Sequence, residues 1–167
     1  EQEAIRQSLP QLGPQAQKLL GSLAVQFEKL THLRTLHLAD NHLSPDPIGL
    51  LSKAFEHLTT LMDLNLSRNP LGPEGSQILV AALSGVRLTS LNLSSTNLRS
   101  QGARHLADML VTQSDLRILN LSNNTLGPDG ASALANAFEN LRSLSSLTMD
   151  NNNLGTDGMQ RLAPALM

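Results

Sequence analysis

Five copies of one eleven-residue phrase, L-x-x-L-x-L-x-x-N-x-L, constrain this chain more than any other feature. They begin at Leu33, Leu61, Leu88, Leu116 and Leu144, in steps of 28, 27, 28 and 28 residues. A fixed period of this size makes each unit one supersecondary element that buries its apolar faces only against its neighbours, which is the logic of a stacked array. In register the copies read Leu33, Leu36, Leu38, Asn41, Leu43, then Leu61, Leu64, Leu66, Asn69, Leu71, and so on down the chain. Only Thr96 and Met149 depart from the framework.

Each repeat carries two periodicities. Around L-x-L the pattern alternates at period two, which reads as a short strand with Leu36 and Leu38 on one face and Thr35, His37 and Ala39 on the other. A turn follows, written L-G-P-E-G at Leu71–Gly75, L-G-P-D-G at Leu126–Gly130 and L-G-T-D-G at Leu154–Gly158. Its acidic residue suits a helix N-cap or first turn, where free N–H groups point. The proline donates no hydrogen bond and sits where none is needed. In the first repeat, Ser44-Pro45-Asp46-Pro47 puts proline at the first helical position. A helix comes next, with apolar residues at i, i+3, i+4 and i+7, as in Ala131, Leu134, Ala135 and Phe138.

Strand–helix units on short connections predict an α/β solenoid. Its parallel sheet lies inside the curve and its helices outside. The framework asparagines are expected to form a ladder, each amide bonded to backbone groups of its loop and of the neighbouring repeat. At Thr96 a hydroxyl offers fewer bonds, so the middle repeat is expected to be locally irregular.

The whole chain, 1–167, reads as one domain, with repeats starting at 33, 61, 88, 116 and 144. Residues 1–32 read as an N-terminal helical half repeat or cap, in which Leu20, Leu23, Phe27 and Leu30 align with the later helical faces and Glu1 to Ser8 contribute to the cap. The three phenylalanines share one repeat position, which reads as packing. Pro164 is expected to bend or end the last helix. No polar capping segment follows it, so the chain is expected to be a piece of a longer array.

Composition narrows the function by exclusion. The net charge is −2 with signs interspersed, and Trp and Tyr are absent, so neither the basic stripe nor the aromatic platforms of a nucleic-acid binder are present. No cysteine means no disulfide, no thiol catalysis and no thiolate for zinc. The longest apolar run, Ile78–Leu83, falls short of a membrane span, and no signal peptide is visible. His32, His37 and His42 are spaced too evenly to converge on a metal, and the glycine-rich turns lack a phosphate-binding pattern. The reading is therefore non-enzymatic, with no catalytic, cofactor-binding or metal-binding residue, no cofactor, no membrane or small-molecule partner, and a cytoplasmic setting.

The period near 28 and the phrase L-x-x-L-x-L-x-x-N-x-L-G-x-x-G resemble the ribonuclease-inhibitor-like leucine-rich repeats over residues 12–167. The resemblance implies an α/β horseshoe from a mainly cytosolic or nuclear family. That family includes ribonuclease inhibitors, Ran GTPase-activating proteins, the sensor regions of NOD-like receptors, and actin regulators of the tropomodulin and CARMIL type. Ribonuclease inhibitors are rich in cysteine and this chain has none. The implied function is a protein-interaction scaffold or the recognition segment of a larger regulatory or sensor protein. The alternatives are a Ran-type GTPase-activating protein that positions a GTPase, and an actin-regulator domain.

The candidate binding surface is the exposed side of the sheet. Its central row is His37, Asn65, Asn92, Asn120 and Thr148, with Asp63 and Ile118 in the row before. The row after holds Ser67, Ser122 and Asp150, and beyond it come Asp40, Arg68 and Asn123. One reading is a solvated consensus face. The other is a partner-binding face centred on His37, Asp63, Arg68, Ile118 and Asp150.

Overall fold

Each framework phrase supplies one three-residue strand: β1 Thr35–His37, β2 Asp63–Asn65, β3 Ser90–Asn92, β4 Ile118–Asn120 and β5 Ser146–Thr148. The computed structural model describes residues 14–27 and 29–166. The strands form a single parallel sheet in chain order. Leu36 stands opposite Leu64, Leu64 opposite Leu91, and Leu91 opposite Leu119, so the 27-residue second repeat keeps the register of the others. The N-terminal cap expected over Glu1–Ser8 lies outside the described residues, as do the side chains of Leu20 and Phe27.

Among the described residues, six helices line the other side: α1 Pro14–Phe27, α2 Pro45–His57, α3 Gly72–Ala82, α4 Arg99–Leu110, α5 Gly127–Phe138 and α6 Gly155–Leu162. Consecutive helices pack on one another along the whole series. Strands lie ~4.8 Å apart while packed helices need ~8–10 Å, so the stack bends with the sheet inside. Between the layers the framework leucines of repeats two to four are buried, with Phe55, Leu83, Leu110 and Phe138 closing the core from the helices. Each such side chain stabilises the stack by roughly 1.5–3 kcal/mol. Helix α6 ends at Leu162, before Pro164, and continues as a 3₁₀ turn over Ala163–Leu166.

The turns place their acidic residues, Asp46, Glu74, Asp129 and Asp157, in the first helical turn. They do not act as N-caps: that position falls on Ser44 or on a framework leucine, and none of the caps makes a side-chain bond. The chain enters each of the later helices directly from a left-handed residue, Gly72, Gly127 or Gly155. The third repeat places Arg99 there at φ 57°, a conformation that strains a side chain bearing Cβ. The second glycine of the turn serves packing. A Cβ on Gly130 would lie 3.0 Å from Leu126 Cβ and 3.2 Å from Ala103 Cβ, so α5 approaches α4 more closely than any larger residue permits.

The asparagine ladder is present. Asn69 Oδ1 accepts the amides of Asn41 and Leu43 at 2.9 Å each, and its Nδ2 donates to the Leu38 and Leu66 carbonyls at 2.8 Å. Asn124 repeats this toward Thr96 and Leu98. Thr96 is fully buried, and its hydroxyl proton is shared between the Leu93 carbonyl at 2.7 Å and Asn124 Oδ1 at 3.1 Å.

The expected irregularity exists, but it falls one repeat upstream of Thr96. The residue after the framework asparagine or threonine is left-handed at His42, Asn97, Thr125 and Asn153, whereas the second repeat has Pro70 there. Proline fixes a negative φ. The Leu71 amide accordingly turns back to the Asn69 carbonyl at 2.8 Å instead of reaching into the next repeat. Thr96 thus faces a loop whose leucine amide is already bonded within its own turn. The two departures should be energetically coupled: Thr96→Asn alone gains nothing, while Thr96→Asn with Pro70→Asn completes the ladder. A double-mutant cycle by chemical denaturation is expected to give a coupling of about 1–2 kcal/mol, and simple additivity would refute the pairing.

Candidate protein-binding face

The outward positions of five short strands and the loops after them form one continuous surface. His37, Asp63, Asn65, Asn92, Ile118, Asn120 and Thr148 all lie on the sheet, exposed or half-buried. Ser67 and Ser122, expected on this face, are instead buried, because the chain begins to turn inward after the third strand residue. Asp40, Arg68, Asn123 and Asn151 share a left-handed loop position at φ 55–59° and form an exposed row beyond the strands. In that row Asn151 Nδ2 donates to Asn123 Oδ1 at 3.0 Å. Asp150 is exposed at the end of the array.

The three asparagines of the central row serve the backbone. Asn65, Asn92 and Asn120 each accept, through Oδ1 at 3.0 Å, the amide of the residue two positions on. This is the side-chain-to-backbone bond that favours asparagine at a turn. The recurring L-N-L-S phrase is therefore a turn device whose carbonyl oxygen is already engaged. On these residues the solvated-consensus reading gains weight.

What varies along the face is more informative. His37 Nε2 lies 3.5 Å from Asp63 Oδ2, an exposed contact across β1 and β2. Ile118 is 49% exposed on β4, in register with Ser90 on one side and Ser146 on the other. Asp63 and Ile118 occupy the same row two strands apart, roughly 10 Å. Asp150 lies three strands away from Arg68, so the sheet does not gather the five proposed centre residues into one cluster. Met62, immediately before Asp63, is 40% exposed. The sequence signal for it was a variable position in the phrase that holds an apolar residue only in this repeat. Among the described residues, no group of three or more His, Asp or Glu side chains is placed to hold a metal ion. No helix among them is long and apolar enough to cross a membrane.

Comparison with known proteins agrees with this architecture. A leucine-rich repeat family model matches residues 29–46, 57–77, 88–107 and 112–135. No curated protein matches by sequence. Among solved structures, the chain resembles leiomodin-1 actin-binding site 2, with a TM-score of 0.68 and 15% identity over 92% of this chain and 91% of that one. It also resembles the Caenorhabditis elegans tropomodulin C-terminal domain, with a TM-score of 0.66 and 17% identity over 88% and 90% of the two chains. At such identities the likeness is one of fold.

Proposed function

Because the chain belongs to the leucine-rich repeat family, in units of the ribonuclease-inhibitor-like type, we propose that it is a protein-interaction domain whose partner seats on the open face of the sheet. The observation that carries this reading is Ile118. A half-exposed β-branched side chain stands on a rigid parallel sheet between two serines. Seated at the centre of an interface, such a side chain buries apolar area while the small residues around it let the partner close and exclude water. Asp63, paired with His37, and Arg68 on the next loop supply charges of both signs on the first strands. Asp150 supplies another beside the last strand. The proposed role is binding, as a scaffold or recognition segment in a cytoplasmic regulatory protein.

The test is affinity capture with Asp63→Lys/Ile118→Glu against the parent chain, read by quantitative mass spectrometry. Partners specific to the parent should fall about tenfold or more, the effect expected of losing a central apolar anchor and reversing a charge. Retention of every partner would remove this face from consideration.

A second reading is favoured by the two fold neighbours, which match 92% and 88% of this chain and include an actin-binding site by name. Co-sedimentation with filamentous actin and pyrene-actin assembly test it directly. The Ran-type alternative predicts faster GTP hydrolysis by a GTPase at catalytic amounts of this chain.

A further inference from the structure

At the start of each strand the sheet departs from strict alternation. Two successive amides donate to one carbonyl of the repeat before: Met62 and Asp63 to Arg34, Thr89 and Ser90 to Met62, Arg117 and Ile118 to Thr89. Regular pleating sends one of two successive side chains inward. Here both members of each pair stand exposed or half-buried. Every such strand therefore opens with two residues on the candidate face, and the pairs line up as two rows, the lower nearer the strand starts.

The rows carry a pattern. On β2 the lower residue is Met62 and the upper is Asp63, whereas on β4 Arg117 is the lower and Ile118 the upper. Met62 and Ile118, 40% and 49% exposed, are thus diagonal corners of one patch, and Asp63 and Arg117 are the other two. The small residues Thr89 and Ser90 of the third repeat lie between them. Among the described residues Arg117 forms no ion pair. Arg87, which donates to the Thr112 carbonyl, and Asp115 stand further down and offset each other in charge. Above the patch come Asn65, Asn92 and Asn120, neutral and bonded to their own turns.

The spacing selects the shape of an occupant. Two strand spacings of ~4.8 Å and one residue step of ~3.3 Å place the apolar corners about 10 Å apart. Seven residues of α-helix rise about 10.5 Å, and the residue three or four along rises about 4.5–6 Å, close to one strand spacing. Successive positions of a helical apolar stripe therefore fall on Met62, on Thr89 and Ser90, and on Ile118. An extended segment on the same diagonal repeats its side chains on one face every ~6.6 Å, which matches neither one strand spacing nor two.

We infer that the sheet face takes an amphipathic α-helix of a partner protein, an inference that rests on the partner seating on that face. The helix crosses β2, β3 and β4 along the diagonal. Its apolar stripe covers Met62 and Ile118, with one large side chain seated over Ser90 between them. An acidic flank meets Arg117, and a basic flank on the opposite side meets Asp63. Turning the helix end for end exchanges the flanks, so the two charges set its direction.

The probe is a labelled peptide, LAQLEAKLAQLEAKLAQL, stapled on its outward face to hold it helical, with glutamates on one flank of the leucine stripe and lysines on the other. Saturable binding in fluorescence polarisation is expected. Ile118→Ser, which gives β4 the residue that its two neighbours carry in register, should weaken binding about tenfold. Stapled forms with both flanks glutamate or both lysine should bind about fivefold more weakly at low salt. Asp63→Lys should turn the preference to the all-glutamate form, and Arg117→Glu to the all-lysine form. An unstapled form with a central proline should not bind. The inference is overturned by no saturable binding, by equal binding of the proline form, or by preferences that neither charge variant moves. If the helix fails to bind while Asp63→Lys/Ile118→Glu still loses its captured partners, the helical occupant is refuted and the face stands. If that variant keeps every partner, the face and the helix are refuted together.

Discussion

Replacing Asn124 with leucine is expected to destabilise the chain by about 3 kcal/mol, as much as a large-to-small truncation in the core. The volume hardly changes, so the loss comes from hydrogen bonds. Asn124 is fully buried, and its Oδ1 accepts from the amides of Thr96 at 3.0 Å and Leu98 at 3.2 Å. Its Nδ2 donates to the Leu93 carbonyl at 2.7 Å and the Leu121 carbonyl at 3.0 Å. Leucine strands the two buried amides, whereas the Leu93 carbonyl keeps the Thr96 hydroxyl and the Leu121 carbonyl keeps Asn152 Nδ2. Each orphaned group costs about 1–3 kcal/mol, and part of that is recovered by local rearrangement. Because repeat arrays hold together through nearest-neighbour interfaces, the damage should stay local. Native-state hydrogen exchange is expected to show β4, α5, β5 and α6 opening before β1 and β2. Uniform loss of protection along the array, or destabilisation below about 1 kcal/mol, would refute the ladder as a structural spine.

The sequence contains the framework because the solenoid has one solution for an eleven-residue phrase repeated at 27–28 residues. Strand positions, helix faces, the parallel order and the asparagine ladder follow from residues such as Leu36, Leu64 and Asn69, which do the same job in every copy. The misreadings arise where a residue acts on a neighbouring repeat instead of its own. Thr96 signalled an irregularity, yet the backbone change sits at Pro70, across the repeat junction. Of the two places read for the acidic turn residues, N-cap or first turn, they take the first turn, because a left-handed glycine delivers the chain into the helix from a leucine. The candidate face was legible as a surface but not as a ranking. Asn65, Asn92 and Asn120 look like recognition residues in one dimension and prove to be turn-formers in three. Asn41 is spelled like every other rung, yet among the described residues its buried oxygen finds no donor.

Substituting Gln113 with leucine should destabilise the chain by about 2–4 kcal/mol, although leucine is what the equivalent positions 58 and 141 carry. A consensus argument predicts the opposite sign. In those repeats the turn into the strand closes on itself: Leu61 donates to the Leu58 carbonyl at 2.9 Å, and Leu144 to the Leu141 carbonyl at 3.0 Å. The 27-residue repeat lacks one residue here. Val86, whose amide bonds back to the Leu83 carbonyl as Leu58 does to Phe55, stands only two positions before Leu88. The Leu88 amide cannot reach the Val86 carbonyl, and both are buried. The Gln113 side chain, from the next repeat, bridges the gap. Its Oε1 accepts the Leu88 amide at 2.9 Å and its Nε2 donates to the Val86 carbonyl at 2.9 Å. Leucine at 113 strands one buried donor and one buried acceptor, each at about 1–3 kcal/mol. Inserting one serine between Val86 and Arg87 of the Gln113→Leu variant restores the ordinary spacing. It should recover more than half of the loss in urea denaturation, whereas the same insertion in the parent chain brings no gain. If leucine at 113 is neutral, or the insertion fails to rescue it, the glutamine does not substitute for the missing residue.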